Sequence, residues 1–318
     1  RDSLTLTPNT VLTLVEGSGL GLGAVGEGTY ELATATGNLL GGTIGLLNKA
    51  GDETIQTLFF DNNKLLLRTV YDGIVASWSN SLGDRGWSTG SNWNKATVGI
   101  NAKSRGKDRA IFGLTTAPVT VTLNSPALMD FKTQLRSLEL TAAEGNGYTL
   151  AGGDAQQALW FYSAVGQPGL TVFGGSHAIT LPVVLENTLS LAVQGGTSSL
   201  SITGRITSDN AVSGAVEIGL SKTGEGTLRL SGANAYSGTT SVTAGALVAD
   251  GTSALGTGPV RIENAQLVST AGALSTGTLM VSNGSLTLNT AGPLTVAGAA
   301  NLNGTVLVTG TVDPDTRG

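Results

Sequence analysis

Apolar and polar residues alternate along most of the chain in short runs, as in strands that bury one face. Gly, Asn, Asp and Ser separate the runs, and the pairs Asn283-Gly284 and Asn303-Gly304 favour turns with positive φ. Only Pro126 to Leu140 has helical spacing, which predicts one short helical turn or a loop. The pattern predicts an all-β protein, and its clearest runs are Leu4-Thr5-Leu6-Thr7, Val119-Thr120-Val121-Thr122-Leu123, Leu189-Ser190-Leu191-Ala192-Val193, Thr227-Leu228-Arg229-Leu230 and Leu286-Thr287-Leu288.

The chain divides into three regions of different texture. Residues 1–72 are Gly-rich strand and turn sequence, and residues 73–175 contain all four tryptophans. From residue 176 onward aromatic residues are few, and short strands recur about every 8–12 residues. This spacing fits a sandwich, a barrel or a solenoid. The scarcity of aromatic residues favours a solenoid, whose interior is filled by stacked aliphatic side chains.

The composition narrows the possible partners. Of the 318 residues, 40% are hydrophobic and 12% are charged, which provides enough apolar material for a core. The net charge of −5 disfavours nucleic acid or an anionic membrane as the main partner, because both require basic patches. No apolar run is long enough to span a bilayer as a helix. With no cysteine, stability has to come from burial and strand pairing.

One stretch carries a specific resemblance. Lys222-Thr223-Gly224-Glu225-Gly226-Thr227-Leu228 is followed by Leu230-Ser231-Gly232-Ala233-Asn234-Ala235-Tyr236-Ser237-Gly238 and by Thr240 to Leu247, and the spacing continues to about residue 260. This stretch resembles the passenger-associated transport repeat of bacterial autotransporters. The resemblance implies an all-β, right-handed parallel β-helix. It also implies an extracellular or cell-surface location at a bacterial outer membrane, with an adhesin-like role.

The repeat residues have a structural interpretation of their own. We expect Leu228, Leu230, Val242 and Leu247 to point inward as stacked ladders. Asn234 is expected in a turn, where its amide can stack on the equivalent residue of a neighbouring coil, with Tyr236 packed over that turn. The glycines are expected at corners that need φ values other residues resist; they are Gly224, Gly226, Gly232, Gly238 and Gly245.

Weaker similarities suggest how the modules are arranged. Residues 28–37 and 65–67 look like the end of a passenger module, whereas Trp78, Trp87, Asn92-Trp93, 109–112 and 147–150 look like the start of the next. We therefore expect 1–72 to end one β-helix module, 73–175 to begin another and 176–318 to be repetitive β-helix. In this interpretation the chain is cut out of phase with its modules. Open β-helix ends would then stack head to tail into a filament of the protein with itself.

Catalytic and cofactor interpretations are weaker. Gly21 to Gly26 has dinucleotide-binding spacing, but strand-like sequence follows where a helix is needed. His177, the single histidine, is expected in a loop or at the surface. The acids are scattered, and the close pairs are Asp52-Glu53 and Asp313 with Asp315. We expect no cofactor, metal or catalytic residue. A β-helix polysaccharide lyase or hydrolase stays the enzyme alternative, with Asp154 and Glu186 as the acids to mutate.

The tryptophan cluster offers a binding alternative. Trp78, Trp87 and Trp93 lie among Asn, Ser and Gly, close to Arg85, a mixture that suits contact with host or neighbouring-cell glycans or proteins. The other interpretation is that these rings cap the first coil of the β-helix. Because they fall where a module appears to start, capping is favoured.

Overall fold

The computed structural model describes residues 28–34, 54–61, 64–71, 73–80, 82–94, 107–123, 133–152, 157–163, 166–209, 217–270, 274–289 and 294–309. Contacts divide the chain into two units, Arg1–Gly73 and Ile74–Gly318, close to the module boundary expected near residue 72. No helix in these ranges is long and apolar enough to cross a membrane. The predicted helical turn within 126–140 falls partly outside them, and its described part holds strands.

The first unit contains a three-stranded sheet of β1 (Gly28–Thr34), β2 (Thr54–Asp61) and β3 (Lys64–Tyr71). β3 lies in the middle and pairs antiparallel with both neighbours. The strands predicted at 28–37 and 65–67 are therefore partners in one sheet. That residues 1–72 end a preceding β-helix module stays a prediction.

The second unit is a parallel β-helix, as predicted. Face A comprises β4 (Val75–Trp78), β5 (Arg109–Thr115), β8 (Ser137–Ala142), β11 (Gly169–Phe173), β14 (Leu189–Gln194), β17 (Leu220–Thr223), β19 (Thr240–Val242) and β21 (Val260–Glu263). Face B comprises β6 (Val119–Leu123), β9 (Tyr148–Gly152), β12 (Ser176–Ile179), β15 (Ser199–Ile202), β18 (Thr227–Leu230), β20 (Ala246–Ala249) and β22 (Gln266–Ser269). Two long strands, β24 (Leu279–Asn289) and β26 (Ala300–Thr309), run through both faces and complete a 17-stranded sheet.

Face C is shorter and less continuous. It comprises β7 (Thr133–Leu135), β10 (Leu159–Phe161), β13 (Val183–Leu185), β16 (Ile206–Ser208), and the separate pair β23 (Leu274–Thr276) and β25 (Leu294–Val296). A 3₁₀ turn, Gly90–Asn92, lies in the loop after β4. Beyond β16, irregular segments such as 231–239 take the place of face C strands.

Stacked side chains fill the interior. Successive coils pair in parallel, so that inward residues form ladders such as Leu138, Leu170 and Leu191 on face A or Ile179, Ile202 and Leu230 on face B. Between faces A and B the chain repeatedly takes positive φ, first at Gly residues and later at Asn264 and Asn283. The positive-φ conformation of this corner thus recurs from coil to coil, although the residue that adopts it changes from Gly to Asn.

Candidate functional site

Three tryptophans close the start of the β-helix. Trp78 ends β4, and Trp87 and Trp93 lie in the loop 82–94; all three are buried around Phe112 of β5. The Phe112 ring centroid lies 5.4–5.5 Å from each indole, and Trp93 meets Trp78 and Trp87 edge-on. The loop also continues face B below β6, because Trp87 N–H donates to the Thr122 carbonyl. Together the rings and the loop occupy the place of a preceding coil.

Polar side chains hold this cap loop in shape. The Asp84 carboxylate accepts hydrogen bonds from Gly86 N–H, Thr89 hydroxyl and the Asn92 amide, and these bonds, led by that from Gly86, lower the pKa of Asp84. Asn92 is buried and also donates to the Gly86 carbonyl. Trp93 Nε1–H donates to the Trp87 carbonyl at 2.8 Å. The indole nitrogen therefore serves the cap itself.

This packing favours capping over ligand binding. Trp87 is fully buried, and Trp78 and Trp93 are 8% and 4% exposed, so the rings contact one another and Phe112. Arg85 is exposed with a φ of 59°, and its carbonyl accepts Thr122 N–H. The binding prediction for Trp78, Trp87, Trp93 and Arg85 therefore finds no open aromatic face here.

The aromatic packing continues into the next coils and ends at His177. The Phe112 and Tyr148 ring centroids lie 5.1 Å apart, and the Tyr148 and His177 rings stack at 5.9 Å with a 14° tilt. His177 is 2% exposed on β12, which corrects the expectation of a loop or surface residue. The alternation in Ser176-His177-Ala178-Ile179 places His177 on the same side of the strand as buried Ile179. Residue type alone, a polar imidazole, instead favours a loop or the surface.

The repeat stretch forms two successive coils, from β17 to β20. Leu228, Leu230, Val242 and Leu247 are fully buried and lie in ladders, as expected. Leu228, for example, pairs with Leu200 below and Leu247 above. Alternate side chains of a strand point to the same side, so burying these leucines and the valine produces the period-2 alternation of the repeat.

The repeat glycines serve two purposes, where the sequence suggested one. Gly224 and Gly245 lie at the corner between faces A and B with φ of 78° and 66°, as predicted. Gly226, Gly232 and Gly238 do not have positive φ. They lie against the backbone of the coil below, where a Cβ would collide: at Gly226 with Ser198 O at 2.6 Å, at Gly232 with Gly204 O at 2.5 Å, and at Gly238 with the Ile218 backbone.

Asn234 links three coils through backbone groups. Its Oδ1 accepts Ile206 N–H at 2.7 Å, and its Nδ2 donates to the Ala254 carbonyl at 2.6 Å. Stacking on an equivalent asparagine, the sequence expectation, is therefore wrong. The buried amide replaces strand pairing where face C has no strand. Tyr236 lies inside rather than over the turn, and its hydroxyl pairs with the Thr240 hydroxyl at 2.8 Å.

Lys222 is the interior residue that sequence reasoning missed. It is 1% exposed in the face A ladder between Leu191 and Val242. Its Nζ donates to the carbonyls of Gly224 at 2.8 Å, Ala244 at 2.9 Å and, more weakly, Thr223 at 3.4 Å. Burial lowers the pKa of Lys222 to about 8. The ammonium thus ties the corner of one coil to the corner of the next.

Of the two acids named for the enzyme alternative, the structure describes Glu186 alone. Within the ranges that the structure describes, no three His, Cys, Asp or Glu residues lie close enough to hold a metal ion. Glu186 is buried and accepts a hydrogen bond from Gln134. Residues 21–26, Asp52, Glu53, Asp154, Asp313 and Asp315 lie outside the described residues.

Comparison with known proteins gives one match. The family model of the passenger-associated transport repeat matches residues 220–249, from β17 through β20. No curated protein and no solved structure gives a significant match to the chain. The repeat and the parallel β-helix fit an extracellular or surface autotransporter passenger.

Proposed function

We propose that this chain is a non-enzymatic, structural or adhesive part of a bacterial surface passenger, and that it assembles head to tail with itself. The observation that carries the proposal is the state of the last described coil. There β26 is exposed along its whole length, from Ala300 to Thr309.

The apolar residues of β26 continue the inner ladders. Leu302 pairs with Val281 and Val306 with Leu286, both partners being buried. On β26 the same ladder positions are 44% exposed, and Val308 is 53% exposed. Within the described ranges β26 pairs with β24 alone, so no other described strand covers its outer edge or the apolar side chains beside it. That is the surface an additional coil would cover.

The described part of this edge also lacks the usual protection against pairing. Exposed edge strands ordinarily carry charged residues or proline, which discourage association. β26 has neither a charged residue nor proline over Ala300–Thr309. The tryptophan cap protects the opposite end of the same unit. Because β26 and the tryptophan cap end the unit with different surfaces, we expect copies to join head to tail rather than through two identical ends.

A second copy is the occupant we propose for this edge. Its segment Leu4-Thr5-Leu6-Thr7 has the alternation that the next coil requires, although it lies outside the described residues. A contact between two different surfaces that does not close into a ring produces a filament. Proteins of a host or neighbouring cell would then meet a repeated surface, as adhesive proteins require.

The test is the assembly state of the full chain. Size-exclusion chromatography with light scattering, followed by negative-stain imaging over a wide range of concentration, should show linear assemblies. Val306→Lys, which places a charge in the ladder of the open coil, should leave monomers. The matched control Thr287→Lys places the same charge on the outward side of β24 and should still assemble.

Two outcomes would overturn the proposal. One is a wild-type chain that stays monomeric at the highest concentration. The other is equal assembly of both lysine variants, which would place the contact elsewhere. A glycan array and a polysaccharide lyase assay with Glu186→Gln test the two alternatives, and we expect both to be negative.

A further inference from the structure

The single histidine occupies a fully specified site inside the β-helix. His177 Nδ1 lies 3.1 Å from Tyr148 N, whose N–H points at it, and Nε2 lies 3.0 Å from the Gly174 carbonyl oxygen. The ring also stacks on Tyr148 and is 2% exposed. Both nitrogens and one ring face are therefore in use.

These partners select one protonation state. A backbone N–H only donates, so Nδ1 has to keep its lone pair. A carbonyl only accepts, so Nε2 has to carry the hydrogen. The site therefore fits the neutral Nε2–H tautomer. A proton added to Nδ1 would face the Tyr148 N–H, with one donor pointing at another and a buried charge beside them.

The backbone corners beside the ring are closely packed. A Cβ on Gly147 would collide with the Ser176 carbonyl, and one on Gly175 would lie 2.6 Å from Asn146 O. Ser176 N–H also donates to the Asn146 carbonyl at 2.7 Å. The corners before β9 and β12 are thus packed against each other, so a proton added to Nδ1 would disturb a contact between two coils.

Few charged groups face this position. Tyr148 on β9 is the titratable neighbour, with a pKa raised by burial, and its hydroxyl donates to the Gly113 carbonyl. β15 contributes Leu200, and β11 has no titratable residue. On β8, Glu139 alternates with buried Leu138 and Leu140 and so faces outward. Within these packed strands, no carboxylate faces the ring to stabilise an imidazolium.

We propose that His177 is an acid-sensitive lock between the aromatic start of the β-helix and its aliphatic coils. In its neutral form it joins the Tyr148 coil to the next coil. Protonation of Nδ1 breaks the bond to Tyr148 N–H and separates the two corners, which loosens the packing between the cap and the rest of the unit. The proposal is independent of self-assembly.

The direction of the pH effect follows from linkage. Burial, partly opposed by the Gly174 hydrogen bond, lowers the pKa of His177. The unfolded chain, with an ordinary histidine pKa of about 6.5, therefore binds the proton more readily. The stability that the neutral ring contributes is complete above about pH 6.5 and is lost as the pH falls from there through the folded-state pKa.

Urea unfolding at about pH 7.5 and about pH 5.5, followed by tryptophan fluorescence, tests the lock. The wild-type unfolding constant should rise by up to about tenfold per pH unit below pH 6.5, the limit for one proton. His177→Gln is the matched control, because its amide can accept from Tyr148 N–H and donate to Gly174 O without titrating. Its unfolding constant should change much less.

A second measurement keeps the proposal testable if His177→Gln does not fold. Since the chain has one histidine, nitrogen-15 NMR of the wild type reports its tautomer and midpoint without ambiguity. We expect the Nε2–H form and a midpoint below that of an unfolded histidine. The Nδ1–H tautomer, an ordinary midpoint, or the same pH response in wild type and His177→Gln would overturn the lock.

Discussion

Between Trp78 and His177 the interior of the β-helix holds a group of contacting rings beside its aliphatic residues, whereas from Lys222 to Leu247 it holds one buried ring, Tyr236, among aliphatic residues and a few polar ones. In the first region, order comes from three indoles packed around Phe112, with Trp93 edge-on and Trp78 and Trp87 tilted. In the second, backbone fits backbone, with glycines pressed against the coil below and Lys222 and Asn234 bonded to main-chain atoms. The comparison shows that one cross-section can be stabilised by ring burial or by close backbone stacking.

If the rings stabilise the first region, removing the most deeply buried indole should have the largest effect. We expect Trp87→Ala to lower the free energy of unfolding by about 3–5 kcal/mol, because Trp87 is fully buried and its loss leaves a cavity among aromatic neighbours. Urea unfolding monitored by circular dichroism measures this. Trp160→Ala is the control, since Trp160 is half-buried on the outside of β10 and should cost less. Equal costs would remove the special status of the cap.

In the repeat region, the substitution that best tests the bonds between side chains and the backbone of neighbouring coils is at Asn234. We expect Asn234→Leu to cost about 2–4 kcal/mol, because Ile206 N–H and the Ala254 carbonyl both lose a buried partner. The same unfolding measurement applies. Asn187→Leu is the control: Asn187 is half-buried and accepts one backbone bond, from Ser163 N–H. A cost for Asn234→Leu no larger than that of Asn187→Leu would contradict the bridging role.

The two regions also differ in how far the sequence predicted them. Alternation alone placed Leu228, Leu230, Val242 and Leu247 inside, because strand geometry fixes side-chain direction. The same alternation puts Lys222 in phase with Leu220, but lysine is seldom buried, so its position in the pattern does not by itself predict an interior side chain. Only the corner carbonyls of Gly224 and Ala244, which come from two different coils, explain why an ammonium is tolerated there.

The glycines and the cap show the other limit of sequence reasoning. A glycine required by positive φ, such as Gly224, and one required by close approach, such as Gly238, look identical in sequence, because the second depends on the neighbouring coil. The sequence around the tryptophans fits both a cap and a binding surface. Their distinction needed the position of Phe112, which lies on the next coil of face A.

Lys222→Met should have the smallest effect, and it sharpens the comparison most. The variant loses the Nζ bonds to Gly224 O and Ala244 O but also removes a buried ammonium, so we expect a net loss of about 1 kcal/mol near neutral pH. Leu191→Met, one coil below in the same ladder, is the uncharged control.

The pH dependence of the free energy of unfolding tests the buried ammonium most directly. Because burial lowers the pKa of Lys222 from 10.5 to about 8, the unfolded chain binds the proton more readily between these values, and wild-type stability should rise with pH across that window relative to Lys222→Met. Urea unfolding at several pH values in the window measures this difference, and parallel curves for wild type and Lys222→Met would mean that the repeat interior does not hold a buried charge.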